Sequence, residues 1–289
     1  MSDCRDERGF ALITVLWLLA LLGALTAGLL TTVRREQHLA ENRIALERGA
    51  WAMEGCLAIL EARYQHDSAI RAVDSTDLGQ GSWCRAEVSD LGGRINVNSA
   101  PDGLLAAALG SDTLVAAVLD WRDPDTLARP GGAERSWYAA HGREPPRDGP
   151  FESVRELRLV RGLERASVAA LDPLFTVDGD GRVNPYLLPD GLLRALPGFG
   201  AATALAIRGV GSAGQRATSL DQFIGTLPPS SRTGIAAAYP ALSSLLVFQP
   251  AWLEIRFEAR APPNDIISRM RVLAVPLEGR LAIVAREPA

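Results

Sequence analysis

Apolar positions follow three different rhythms along the chain. From Phe10 to Val33 no charged residue occurs, and Ala11 to Leu30 is apolar on every side. At about 1.5 Å rise per residue, roughly 21 helical residues reach about 31 Å, enough to cross a hydrocarbon core. A buried helix of a soluble protein is seldom apolar all round over such a length, so this run reads as a transmembrane helix. Beyond it, Leu39, Leu46, Ala50, Met53, Leu57, Leu60 and Tyr64 recur at intervals that keep them on one helical face. Arg43, Glu47, Glu54 and Glu61 fall elsewhere on the wheel. The pattern predicts one helix from about Phe10 to Tyr64, its second half resting on a sheet. Gly49 and Gly55 each weaken a helix by about 1 kcal/mol, so a local bend is allowed there.

A period of two governs the other flank. Trp83, Arg85, Glu87 and Ser89 alternate with Ser82, Cys84, Ala86 and Val88, and Leu253, Ile255, Phe257 and Ala259 alternate with Glu254, Arg256, Glu258 and Arg260. Both read as half-buried strands. Ile267 to Pro276 and Arg280 to Arg286 give two more, with Glu278-Gly279 as their hairpin turn and Pro262-Pro263-Asn264-Asp265 turning the chain before them. Asp67 to Gly81 reads as a polar connection. These strands are expected to form an antiparallel sheet against the long helix.

The middle of the chain repeats itself. Gly93-Arg94-Ile95-Asn96 and Asp102-Gly103-Leu104-Leu105 return, both 88 residues later, as Gly181-Arg182-Val183-Asn184 and Asp190-Gly191-Leu192-Leu193. Each copy reads as a short extended piece, a proline turn (Pro101, Pro189) and a small helix, so two related helical modules are implied. Phe151 to Leu163 reads as a helix ended by Gly162, and Ser219 to Thr226 as another after the Gly- and Ser-rich stretch Gly209 to Gly214.

Composition narrows the function. A chain of 289 residues, 47% hydrophobic and 22% charged, describes about two folded units with one greasy segment. The net charge is −4, which argues against a nucleic-acid surface; the chain has arginine but no lysine, from which nothing is drawn. His38, His66 and His141 have no nucleophile or orienting acid at recognisable spacing, and no phosphate loop or zinc pattern occurs, so no enzyme is expected. Leu196-Pro197-Gly198-Phe199-Gly200 and the following Ala201 to Ile207 resemble a helix-hairpin-helix, whose turn can offer backbone amides to a phosphate. Only Arg194 and Arg208 lie nearby, whereas nucleic-acid affinity needs several cations. A packing role for the two glycines is the stronger reading, and DNA binding the lesser one.

The densest chemistry lies between the copies: Asp120-Trp121-Arg122-Asp123-Pro124-Asp125, then Arg129-Pro130-Gly131-Gly132-Ala133-Glu134-Arg135-Ser136-Trp137-Tyr138. Alternate carboxylates in a proline-kinked loop suit a hard cation such as Ca²⁺, although the spacing is not that of an EF-hand. Spacing alone fits a solvated loop, with Asp123 capping a turn, slightly better. Asp178-Gly179-Asp180-Gly181 is a second acidic turn with a weaker claim, because a β-turn explains it fully.

The N-terminus supplies a resemblance. A polar leader, Met1 to Gly9, stops at a glycine directly against the apolar run, and the run's far end has no small-x-small cleavage site. This arrangement resembles the class III signal of type IV pilins and type II secretion pseudopilins. It implies cleavage by prepilin peptidase between Gly9 and Phe10, and methylation of Phe10. The fifth mature residue, a glutamate in most of that family, is here Thr14. The K-type minor pseudopilins of type II secretion share this departure, and Arg8-Gly9-Phe10-Ala11-Leu12-Ile13-Thr14-Val15-Leu16 is similar to their leaders.

That resemblance covers essentially the whole chain and implies an α+β, pilin-like fold: a leader (1–9), a transmembrane helix (10–33), a head (34–98 and 246–289) and an inserted helical domain (99–245). The insert would hold two helix-hairpin-helix-like or SAM-like modules, about 99–177 and 178–245. The flanking charges, Arg5 and Arg8 before the span and Arg34 and Arg35 after it, leave topology undecided. The resemblance places the head in the periplasm, anchored in the bacterial inner membrane. It implies assembly with the minor pseudopilins I, J and H and the major pseudopilin, a place at the pseudopilus tip, and no nucleic-acid partner. The acidic loop is similar to the family's calcium-binding helical domain, which implies structural Ca²⁺ on Asp123, Asp125 and Glu134, with Asp120 as fourth choice. Cys4 lies in the leader; in an oxidising periplasm Cys56 and Cys84 form either a disulfide or two small buried thiols.

Overall fold

The structure, a computed structural model, describes residues 6–67, 72–212, 216–263 and 266–288. Residues 1–5 of the expected leader, 68–71 of the expected connection, the 213–214 end of the Gly/Ser stretch and the Asn264-Asp265 end of the expected turn lie outside the described residues. The elements in order are α1 (Asp6–Asp67), β1 (Val73–Gly79), β2 (Ser82–Asp90), β3 (Ile95–Asn96), α2 (Asp102–Leu109), α3 (Asp112–Arg122), α4 (Arg135–Ala140), α5 (Val168–Leu171), β4 (Phe175–Thr176), α6 (Asp190–Arg194), α7 (Ala201–Ser212), α8 (Leu220–Thr226), α9 (Pro229–Ala237), α10 (Tyr239–Leu245), β5 (Leu253–Ala261), β6 (Ile266–Leu277) and β7 (Arg280–Pro288). Among the described residues, β1-β2-β5-β6-β7 form one sheet in that order and β3-β4 a second.

The chain falls into two compact units. One comprises Met1–Glu87, Arg256–Arg271 and Glu287–Ala289; the other comprises Val88–Ile255 and Val272–Arg286. In the first unit, α1 is continuous from the apolar run to His66, and it is the one described helix long and apolar enough to cross a membrane. Its threonine hydroxyls find partners within the helix: Thr26 donates to the Leu22 carbonyl at 2.9 Å and Thr31 to that of Gly28 at 2.7 Å. Such bonds are what a polar side chain needs where water is absent.

The lower half of α1 buries the predicted stripe only in part: Met53, Leu57 and Leu60 are buried, and the upper members are not. Leu39, Leu46 and Ala50 are exposed, while Ala45, Gly49, Ala52, Met53, Cys56, Leu57 and Leu60 are buried. Gly49 is a close-approach site rather than a bend, because a Cβ there would overlap the Ser268 hydroxyl on β6. Residues 73–79, expected as connection, are strand β1, antiparallel to β2. A disulfide joins Cys56 of α1 to Cys84 of β2, with the two Cα atoms 6.0 Å apart. Strand β5 shows the expected alternation, with Phe257 and Ala259 buried. Glu258, on the opposite face, accepts from Arg85 at 2.8 Å and Arg269 at 3.1 Å, tying three neighbouring strands together.

The second unit has one continuous apolar core running from Ile95 to Phe248. This is why residues 93–98 and 246–252 belong with the helices rather than with the head. Ile95 pairs with Phe175 in the parallel β3–β4 ladder, and Val183 bridges in parallel to Leu246. The repeat is structural. Asn96 turns the chain by accepting from the Asn98 amide at 2.9 Å, and Asn184 does the same from Tyr186 at 3.1 Å. Pro101 and Pro189 then stand at the helix starts, and Leu105 and Leu193 are fully buried on α2 and α6. Glycines with φ of 69° (Gly110) and 74° (Gly198) lead to the next helix in each copy.

The stretch expected as a helix over 151–163 holds only a 3₁₀ turn, Val154–Leu159, started by a capping box of Ser153 and Glu156. Both ends are pinned. Phe151 donates its N–H to Asn98 at 2.7 Å, and Arg161 donates its N–H to the Tyr138 hydroxyl at 3.0 Å, which leaves room for one short, tight turn. Glu254 departs from the alternation of β5: it is buried and paired with Arg94 at 2.9 Å.

Candidate metal centre

The acidic loop closes on itself at the end of α3. Asp120 sits on the last turn of α3 and is wholly buried, Asp123 caps the helix, and Glu134 occupies the N-cap position of α4 without making a cap bond. Asp125 is exposed and accepts from the Leu127 amide at 2.8 Å in a local turn. Carboxylate oxygens of Asp123, Asp125 and Glu134 all lie within 4.8 Å of one another. Two oxygens held at about 2.4 Å from one Ca²⁺ can be no farther apart than about 4.8 Å, so the three are spaced to share an ion.

The electrostatics fit a missing positive charge. Glu134 is 3% exposed, and neither Oε1 nor Oε2 has a hydrogen-bond partner; Asp123 Oδ1 is likewise buried and unpartnered. A buried carboxylate without a donor or counter-charge is costly. Burial, followed by the charges of Asp120, Asp123, Asp148 and Asp125, pushes Glu134 up to about 7. The donor set is oxygen only, which suits Ca²⁺, Mg²⁺ or Mn²⁺ rather than zinc or copper.

Asp120 stands apart from the three. Its Oδ1 accepts from the Arg129 guanidinium at 2.7 Å and its Oδ2 from the Arg129 backbone N–H at 3.2 Å. The same guanidinium nitrogen also donates to Asp123 Oδ2. Gly132 lies so close to Asp120 that a Cβ there would overlap its Oδ2. Behind the loop, Trp121 packs edge-on against Tyr138 at 5.4 Å and stacks with Phe151 at 6.2 Å. Arg161 donates to the Gly132 carbonyl at 2.8 Å and lies over the Trp137 ring at 4.9 Å, holding the backbone that leads into Glu134.

Sequence reasoning missed Asp148. It adopts φ 53°, Arg135 holds its Oδ2 at 2.7 Å, its Oδ1 is buried without a partner, and its charge reaches Glu134. A non-glycine residue held at positive φ is a signal only coordinates carry. The second acidic turn is locally satisfied: Asp180 pairs with Arg182 at 2.7 Å. The helix-hairpin-helix glycine does packing work, since a Cβ at Gly198 would overlap the Gly234 carbonyl of α9. Gly9 and Phe10 lie in helical backbone at the start of α1, as does Thr14 farther along.

Residues 93–179, which contain the whole acidic centre, match the family model described as type II secretion system (T2SS), protein K. No curated protein sequence matches the chain. Among solved structures, the fold is similar to a chain of the GspK-GspI-GspJ complex from the type 2 secretion system of enterotoxigenic Escherichia coli. The TM-score is 0.65 at 18% identity, covering 88% of this chain and 99% of that one. A segment that matches protein K of the type II secretion system thus lies in a chain whose fold is similar to that of a chain of the GspK-GspI-GspJ complex, behind the one described helix long and apolar enough to cross a membrane.

Proposed function

We propose that this chain stands at the tip of a periplasmic pseudopilus, where it helps start assembly with the minor pseudopilins I, J and H and so serves the export of folded exoproteins. The observation that carries the tip position is Thr14, an uncharged residue at the fifth place after the expected cleavage point, inside a helix with no charge from Phe10 to Val33. A carboxylate in lipid is stable when it meets a cation. In the related pilins that cation is the terminal amine of a neighbour, and Thr14 cannot offer it a counter-charge. The composition of the similar complex supports I and J as neighbours. The leader supports cleavage between Gly9 and Phe10 by prepilin peptidase and methylation of Phe10. The apolar half of α1 supports anchoring in the inner membrane with the rest of the chain in the periplasm.

The acidic centre is then a structural Ca²⁺ site on Asp123, Asp125 and Glu134. When bound, the ion supplies the positive charge that the buried Glu134 and Asp123 oxygens lack. Asp123 and Glu134 fix the two ends of the loop, and Asp125 closes it from the solvent side.

Two experiments test the reading. Sequencing or mass spectrometry of the membrane-extracted protein is expected to find methyl-phenylalanine from position 10; any other start overturns the anchoring. Introducing Thr14→Glu, and separately deleting residues 99–245, is expected to move the subunit within the fibre or stop fibre initiation. If both variants assemble like the parent, the tip position is wrong.

A further inference from the structure

The acidic centre contains its own cation. Asp120 has no exposure, and both of its oxygens are engaged by Arg129, one through the guanidinium at 2.7 Å and one through the backbone N–H at 3.2 Å. The nitrogen that reaches Asp120 also reaches Asp123, one of the three carboxylates spaced to share an ion. Arg129 thus takes one oxygen of Asp123 and leaves the other, Oδ1, buried and without a partner beside the two unpartnered oxygens of Glu134. Its own side chain is 40% exposed, so the guanidinium reaches in from the rim.

We propose that Arg129 is a built-in counter-ion of the metal centre, holding the loop folded while the site is empty and restraining how tightly the site grips a divalent cation. The proposal rests on the calcium reading above. The physics has two parts. Without the arginine side chain, Asp120 would be a buried charge held by a backbone N–H alone and with no counter-charge, a destabilising arrangement. With it, a fixed positive charge touches a ligand carboxylate and repels the incoming ion through a poorly screened path. Stability in the empty state and affinity for the ion therefore pull in opposite directions through one side chain. Arg129 acts here as a positioning residue; the ligands are the carboxylates.

The test uses the full chain in detergent micelles, with Ca²⁺ alone as the probe. Thermal melts are run in chelator and in saturating Ca²⁺, and affinity is measured by calorimetry. Arg129→Met is expected to melt well below the parent in chelator, to bind Ca²⁺ about tenfold more tightly, and to recover much of the lost melting temperature once the ion is bound. Should that variant fail to fold, Asp120→Asn with Arg129→Met removes the orphan charge while sparing all three ligands; tighter binding is still expected. Arg129→Lys, which keeps the charge without the fork, is expected to bind like the parent. Equal or weaker Ca²⁺ binding by the folded methionine variants overturns the proposal while leaving the site intact. A parent that shows no Ca²⁺ binding overturns both together.

Discussion

The two copies of the repeated module share a frame and differ in what they do with it. Each turns on an asparagine, starts a helix after a proline, buries a leucine at the same depth and passes through a left-handed glycine. Each also feeds an arginine back onto the turn: Arg122 donates to the carbonyls of Val97 and Ala100, and Arg208 to those of Tyr186 and Leu188. The 88-residue register slips at that arginine: Arg208 stands 88 places after Asp120, and the position 88 places after Arg122 is Val210, so the second copy has no carboxylate at the register of Asp120. The first copy then extends into the acidic loop, and the second uses its turn to meet α9 at Gly234. One duplicated scaffold has become a charged centre in one place and a packing surface in the other.

If the copies share one core, their equivalent leucines must matter alike. Leu105→Ala and Leu193→Ala are each expected to cost about 2–5 kcal/mol in denaturant melts, within a single transition. Two separate transitions would divide the modules. The charged centre should answer to pH in a way its twin does not. Glu134, raised to about 7, binds its proton more tightly folded than unfolded. In chelator the chain is therefore expected to lose about 3 kcal/mol of stability as pH rises from about 4.5 to 7. Glu134→Gln should flatten that slope. At Ca²⁺ a hundredfold above its dissociation constant, melts should gain about 2.7 kcal/mol in the parent. Glu134→Gln is expected to lose most of the gain and Asp190→Asn, in the second copy, none of it. The smallest contrast lies in the turns. Gly110→Ala has open space and should cost about 1 kcal/mol for its backbone alone. Gly198→Ala must also displace the Gly234 carbonyl and is expected to cost more by the same assay.

The repeat, the transmembrane half of α1 and strands β2 and β5 to β7 were legible because each carries a period or a matched offset in apolar side chains. The rest failed for physical reasons. Above Met53 the buried face of α1 is built from Ala45, Gly49 and Ala52, so there the larger, exposed Leu39 and Leu46 drew the stripe to themselves, whereas Met53, Leu57 and Leu60 were read correctly. Strand β1 has Val73 as its one fully buried residue, too little for an alternation to show. In the acidic loop the carboxylates were visible in the sequence. The roles of Arg129 and Asp148 were not, since nothing in spacing says which arginine folds back or which aspartate is held at positive φ.

The inward line of the stem has a mechanical consequence. Between Ala45 and Ala52 it presents only small side chains, so over those two turns little interlocks to stop the helix turning about its own axis, and the bulk of Met53, Leu57 and Leu60 comes only below. The bond from Cys56 to Cys84 supplies what shape does not: it fixes the phase of the rod against its neighbouring strand.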